Sequence, residues 1–221
     1  MCVNRKPVRL SKSAEDDNWI YTESNAGMVS ALNSVIGSEN VWWVSWPGTL
    51  VEKNSQEGVR RRMESEYCCT PVFLPREVQE HYYDRFCCSV LWPLLHSLPL
   101  NYNKGLLEGF AEQYDAYSHA NQLFVEAVAS IYEEGDYIIV YDYELLLLPS
   151  LLRKRIPEVK CGFFLSCPFP SIEFFSMLPV RENLLQGMLG SDLVSFNHFD
   201  YVRHFLSGCT RIMGLESYPS K

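Results

Sequence analysis

The sequence lacks any excess of positive charge. Its 19 Lys and Arg stand against 27 Asp and Glu, a formal net charge of -8. Binding a phosphate backbone needs clustered cations, so nucleic acid is not an expected partner. The one basic run, Arg60-Arg61-Arg62, reads as a solvated face. Long apolar runs are also missing. Nothing approaches the ~18 residues that span a bilayer, and the longest aliphatic stretch, 145–152, is broken by Pro149. Arg5, Lys6 and Arg9 are not followed by an apolar segment, so neither a signal peptide nor a membrane partner is expected. None of the eight cysteines forms a C-x-x-C pair, which argues against a zinc site and leaves metal ligands at none. The adjacent pairs Cys68-Cys69 and Cys87-Cys88 read as reduced, buried thiols of a cytoplasmic protein. Internal repeats and low-complexity segments are absent. What remains is ordinary globular composition, 47% hydrophobic and 21% charged over 221 residues, enough to bury a sizeable core.

Strand-like and helix-like stretches alternate along that length. Residues 41–46 read as a short buried strand stopped by Pro47-Gly48, and 70–74 as another ended by Pro75. Residues 77–95 have helical character. Leu107, Phe110, Tyr114, Tyr117, Phe124, Val128 and Ile131 recur at helical spacing, the apolar stripe of one long helix. After Gly135 come a strand at 137–141, a helix at 144–155, a strand at 161–165, a helix at 181–189, a strand at 193–196 and a helix at 200–206. Residues 10–26 are polar and read as a loop. Apolar strands without alternation are expected to be buried on both faces of a parallel sheet. The expected fold is α/β, a Rossmann-like doubly wound, mostly parallel sheet forming one domain over 1–221. Only Met1, Cys2 and Val3 precede Asn4, so the first strand is expected to be truncated.

Ligands of open parallel sheets bind beyond the carboxyl ends of the strands. That rule selects Asn4 and Arg5, Gly48, Asp142, Ser166, and Asn197 with His198. A carboxylate, an arginine and aromatics around one rim suit a phosphorylated sugar: Arg pairs with phosphate, Asp accepts from hydroxyls, and aromatic faces pack on the ring. A strand-end Asp is equally at home as a simple helix cap.

Several segments carry a resemblance. Val140-Tyr141-Asp142-Tyr143-Glu144-Leu145 is similar to a His-Asp-Tyr-His-Leu segment. Residues 162–170, reading Gly-Phe-Phe-Leu-Ser-Cys-Pro-Phe-Pro, resemble Gly-Phe-Phe-Leu-His-x-Pro-Phe-Pro. Leu178-Pro179-x-Arg181, Asp200-Tyr201-Val202-Arg203-His204-Phe205-Leu206, Tyr82-Tyr83, Leu91-Trp92-Pro93, Trp46-Pro47-Gly48 and Asn4-Arg5-x-Pro7-Val8 follow the same pattern in order. Together they resemble the trehalose-6-phosphate synthases, in a eukaryotic, plant-like form, from about residue 3 to 215.

The resemblance implies the amino-terminal half of a two-domain GT-B retaining glycosyltransferase. Such enzymes move glucose from UDP-glucose to glucose 6-phosphate, without a metal or other cofactor. The carboxyl-terminal, donor-binding domain is expected to be absent. By resemblance Arg5 contacts the acceptor phosphate, Tyr83 hydrogen-bonds it, Trp92 and Trp46 wall the pocket, and Asp142 binds acceptor hydroxyls at the reacting centre as the catalytic carboxylate. Ala26-Gly27 stands where the family has Gly-Gly, close to the donor phosphates.

The departures concentrate on the donor side. Tyr141 and Glu144 replace two family histidines, Ser166 replaces the histidine that touches the donor sugar, and Ala26 replaces a glycine. A serine hydroxyl is shorter than imidazole and cannot take up and release a proton near neutral pH. Losing one positioned donor costs roughly 2.7–4 kcal/mol of transition-state stabilisation. Two readings follow: a partial, catalytically impaired synthase, or a non-catalytic sugar-phosphate-binding or regulatory protein that associates with full-length synthase subunits.

Overall fold

A computed structural model describes residues 1–5, 8–13, 18–23, 41–98 and 109–218. Six parallel strands form one sheet: β1 Cys2–Arg5, β4 Trp43–Trp46, β5 Cys69–Pro71, β6 Tyr137–Tyr141, β7 Lys160–Leu165 and β8 Leu193–Phe196. Their spatial order is β5-β4-β1-β6-β7-β8. Counted along the chain this is the doubly wound order, in which the direction of winding reverses between β1 and β6. β1 is therefore a central strand, pairing Val3 with Ser45 on one side and with Tyr141 on the other. Asn4 and Arg5, expected just past β1, belong to it.

One face of the sheet carries the larger core. Cys2, Val44, Trp46, Val140, Phe163 and Leu165 point into it. Covering it are α4 Phe110–Ala129, α5 Leu148–Arg155, α7 Arg181–Met188 and a π-helix, Glu80–Leu91. Helix α4 buries Tyr117, Ala120, Phe124, Val125 and Val128, the stripe that helical spacing implies. The other face holds a smaller core of Val3, Val8, Leu10, Trp43, Val59, Met63 and Cys69, under α1 Lys53–Tyr67. Burial on both faces is complete at β4 and β5; β6 and β7 alternate buried with half-buried residues.

Other boundaries moved for identifiable reasons. Residues 10–26 are not simply a loop. β2 Val8–Lys12 and β3 Trp19–Glu23 form an antiparallel ribbon. Its aromatic side is anchored from a distance: Tyr21 stacks on Tyr67 at 6.0 Å and the Arg62 guanidinium lies 4.2 Å from the Tyr21 ring centre. Arg60, Arg61 and Arg62 otherwise form the solvated face expected, each paired with a glutamate four residues away. The helix at 77–95 divides into α2 Arg76–Gln79, the π-helix, and α3 Trp92–Leu95. The helix at 144–155 divides into a 3₁₀ turn, Tyr143–Leu145, and α5, because Pro149 fits only the first turn of a helix. A short α6, Ile172–Phe175, precedes α7, and α8 runs Phe199–Met213, longer than 200–206. The thiols are not all buried: Cys68 and Cys88 are exposed. No helix among the described residues is long and apolar enough to cross a membrane.

Candidate functional site

The carboxyl ends of β1, β4, β6 and β7 meet at the topological switch point, and the most constrained residue there is Asp142. It follows β6 with φ 73 and ψ 173, a region essentially reserved for glycine that costs of order 1–3 kcal/mol for other residues. Such a conformation persists only where its surroundings over-determine it. Here they do. The Asp142 N–H donates to the Phe164 carbonyl at 2.9 Å, still in the β7 ladder, and the Asp142 carbonyl accepts from Leu145 N–H at 3.2 Å. Its Oδ1 accepts from Tyr143 N–H at 3.0 Å. The side chain is thus a cap, and more than a cap, because Oδ2 accepts from the Ser166 hydroxyl.

The turn after Asp142 is held from below by buried polar groups. The Tyr117 hydroxyl donates to the Tyr143 carbonyl at 2.8 Å and accepts from Leu146 N–H at 2.9 Å. Asn121 Nδ2 and the Tyr82 hydroxyl donate to the Glu144 carbonyl at 3.2 and 3.4 Å. Tyr82, Tyr117 and Asn121 are each 0% exposed; their donors are satisfied by the turn, while Asn121 Oδ1 has no partner among the described residues. Burial pushes both tyrosines well above the ordinary phenol range, so they remain donors. Sequence reasoning found Tyr117 as an apolar stripe residue and missed its hydroxyl. The available signal was Asn121, an amide on the inward face of an otherwise apolar helix.

Ser166 links three strands. Its hydroxyl reaches Asp142, its carbonyl accepts from Asn197 Nδ2 at 2.6 Å past β8, and Tyr141 hydrogen-bonds its side chain. Burial raises Tyr141, and the bond to Ser166 works against that rise. The adjacent Cys167 thiol is pushed above its ordinary range by burial first, then by the charges of Asp142 and Glu144. This part of the rim is consequently a set of hydroxyl, amide and carboxylate contacts centred on Ser166.

Across the rim, Trp46 at the end of β4 is 3% exposed, and its ring lies 5.6 Å from that of Tyr83. Tyr83 is half-buried on the π-helix and adds to the field around Tyr143. Trp92 is 43% exposed and stacks on His96 at 4.2 Å. Gly48, at φ 84, turns the chain away directly after β4. The structure therefore joins Asp142 to Ser166 and Trp46 to Tyr83, with Tyr143 between the pairs. The side chain of Arg5 lies outside the described residues, as do Ala26 and Gly27. Among the described residues no group of three His, Cys, Asp or Glu side chains is placed to hold a metal.

The class is that of a doubly wound α/β domain with a constrained carboxylate at its switch point, where such sheets take their ligands. The sequence profile of glycosyltransferase family 20 matches residues 1–221, and the chain belongs to that family. It is 41% identical over 221 residues to alpha,alpha-trehalose-phosphate synthase [UDP-forming] 1 of Aspergillus fumigatus, covering 98% of this chain and 42% of that protein. The amino-terminal domain of Candida albicans trehalose-6-phosphate phosphatase superposes with a TM-score of 0.79 at 28% identity, over 98% of this chain and 45% of that one. An E. coli trehalose-6-phosphate structure bound with UDP-2-fluoro glucose superposes at 0.67 and 24% identity, over 84% and 39%, which speaks for the fold alone. The chain spans less than half the length of these relatives.

Proposed function

We propose that this chain is the acceptor-side, amino-terminal half of a trehalose-6-phosphate synthase of GT-B architecture, holding glucose 6-phosphate at the switch point. The observation that carries the reading is Asp142. A carboxylate held at φ 73 by four backbone and side-chain hydrogen bonds is strain maintained at one fixed position, as at a ligand-binding centre. In this reading Asp142 accepts from sugar hydroxyls and Arg5 pairs with the phosphate. Tyr83 donates to that phosphate, and Trp46 and Trp92 wall the ring. The glucosyl donor, UDP-glucose, is held mainly by a second α/β unit of the kind that the longer relatives have length for. Ala26, Gly27 and Ser166 face it from this side. Transfer proceeds with retention, the acceptor hydroxyl attacking on the face that the diphosphate leaves.

A second reading is a non-catalytic sugar-phosphate-binding or regulatory chain that associates with full-length synthase. The contact between Ser166 and Asp142 favours it. A hydroxyl occupies one carboxylate oxygen and backbone N–H the other, where a family histidine would leave a larger, titratable group. UDP release from UDP-glucose and glucose 6-phosphate separates the readings: turnover at a normal enzyme rate removes the second. Calorimetry with glucose 6-phosphate on the wild type, Arg5→Ala and Tyr83→Phe tests what both share. Binding weakened at least tenfold in each variant supports it, and equally weak binding in all three overturns it.

A further inference from the structure

Asn197 follows β8 directly and is exposed at the rim, yet its side chain reaches back to the neighbouring strand. Its Nδ2 donates to the Ser166 carbonyl at 2.6 Å, across 31 positions of sequence. Ser166 lies just past β7, and the segment 166–170 that it opens has no regular secondary structure. Pro168 and Pro170 stand in that segment. Proline has no N–H, so neither residue can anchor the segment through a backbone donor. Side chains from the next strand and helix hold it instead. Asn197 takes the Ser166 carbonyl, and His204 Nδ1 on α8 donates to the Phe169 carbonyl at 2.9 Å. The Phe169 ring is buried and packs on Phe196 and Phe205 at 6.0 and 5.5 Å. The end of β8 and the start of α8 thus carry the segment that carries Ser166.

Ser166 passes this anchoring on. Its hydroxyl donates to Asp142 Oδ2, and Asp142 sits at φ 73, a conformation kept only where neighbours over-determine it. A serine side chain offers three staggered positions for its oxygen. Whether one of them meets Asp142 depends on where the Ser166 backbone is fixed. We infer that Asn197 is a positioning residue for the sugar-phosphate site, acting through the Ser166 backbone on the Asp142 carboxylate. The ligand in this inference rests on the sugar-phosphate reading; the relay from Asn197 to Asp142 does not. The Asn197 bond is exposed, so water replaces the amide when it is lost, and global stability is expected to change little.

Two measurements on the full chain test the relay. The first needs no ligand. The Tyr143 amide donates to Asp142 Oδ1 at 3.0 Å, so its hydrogen exchange reports how firmly the carboxylate is held. In Asn197→Ala this amide is expected to exchange about fivefold faster, with the α8 amides unchanged. Unchanged exchange at Tyr143, or an equal acceleration throughout α8, overturns the relay. The second is a double-mutant cycle read by calorimetry with glucose 6-phosphate. Asn197→Ala is expected to weaken binding about fivefold in the wild type. In Ser166→Ala, where no hydroxyl remains to be aimed, the same change is expected to cost less than about twofold. Equal losses in the two backgrounds, or no loss in the wild type, overturn the positioning role. If glucose 6-phosphate does not bind the wild type, the sugar-phosphate reading falls, and the exchange result still decides the relay.

Discussion

The two ends of the parallel sheet are built on different terms. At the amino-terminal ends of the strands the groups satisfy ordinary structural demands. Arg153 donates to the Val159 carbonyl at 2.7 Å and the Gly190 carbonyl at 3.3 Å, and pairs with Asp192 at 2.7 Å. Asp192 in turn accepts from Cys161 N–H at 2.8 Å, the contact that does most to hold its carboxyl below the usual range. None of Arg153, Asp192 and Cys161 has a positive φ. At the carboxyl-terminal ends Asp142 is strained, and buried hydroxyls and amides from α4 and the π-helix hold it. One end is organised to keep the sheet together, and the other keeps a carboxylate where folding alone would not put it. Stability and ligand binding should therefore separate by end.

The largest effect expected is alkaline. Burial pushes Cys69 and Cys161, both at the amino-terminal ends of their strands, up to about 12. Unfolded thiols ionise near ~8.5. The folded state thus holds more protons above that value, and its stability is complete below pH ~8.5 and falls as pH rises toward 12. Each thiol should cost about 2 kcal/mol by pH 10; urea unfolding at pH 7, 8.5 and 10 checks this, and a flat profile contradicts it.

Next comes Gly190→Ala. A Cβ there would sit 2.4 Å from Ser150 N and Cα, backbone that cannot step aside. A loss of about 3 kcal/mol is expected, with glucose 6-phosphate affinity retained by the folded fraction.

A paired comparison is sharper. Arg153→Ala and Tyr117→Phe should each cost about 2 kcal/mol through lost hydrogen bonds. Only Tyr117→Phe, which releases the turn behind Asp142, should also weaken glucose 6-phosphate binding, by about tenfold. Equal affinities in the two variants would remove the distinction between the ends.

The smallest effect is of opposite sign. Asp142→Gly relieves the backbone conformation and should raise stability by about 1 kcal/mol while abolishing binding, readable from thermal melting beside calorimetry.

Much of this was legible in the residues. The strands Tyr137–Tyr141 and Leu193–Phe196 were legible from apolar runs bounded by Gly135 and polar residues. Helix α4 was legible from its stripe, and the rim from the rule that ligands lie past strand ends. The β2–β3 ribbon was not. Its inward Val8 and Leu10 alternate with polar residues over only five positions, and its partner surface, Tyr67 and Arg62, lies some forty residues away. The π-helix was not legible either, since an apolar set at 82, 86, 87, 90 and 91 satisfies any helical winding.

The amino-acid sequence by itself determined the family, the doubly wound fold and the place of Asp142, because those depend on local pattern and on motifs that survive in order. Tertiary structure alone decided how that aspartate is held. The Tyr117 and Asn121 groups that clamp its turn and the Ser166 hydroxyl on its carboxylate act between segments distant in sequence. No local pattern encodes which buried hydroxyl meets which carbonyl. That depends on how α4 and the π-helix pack over the end of β6.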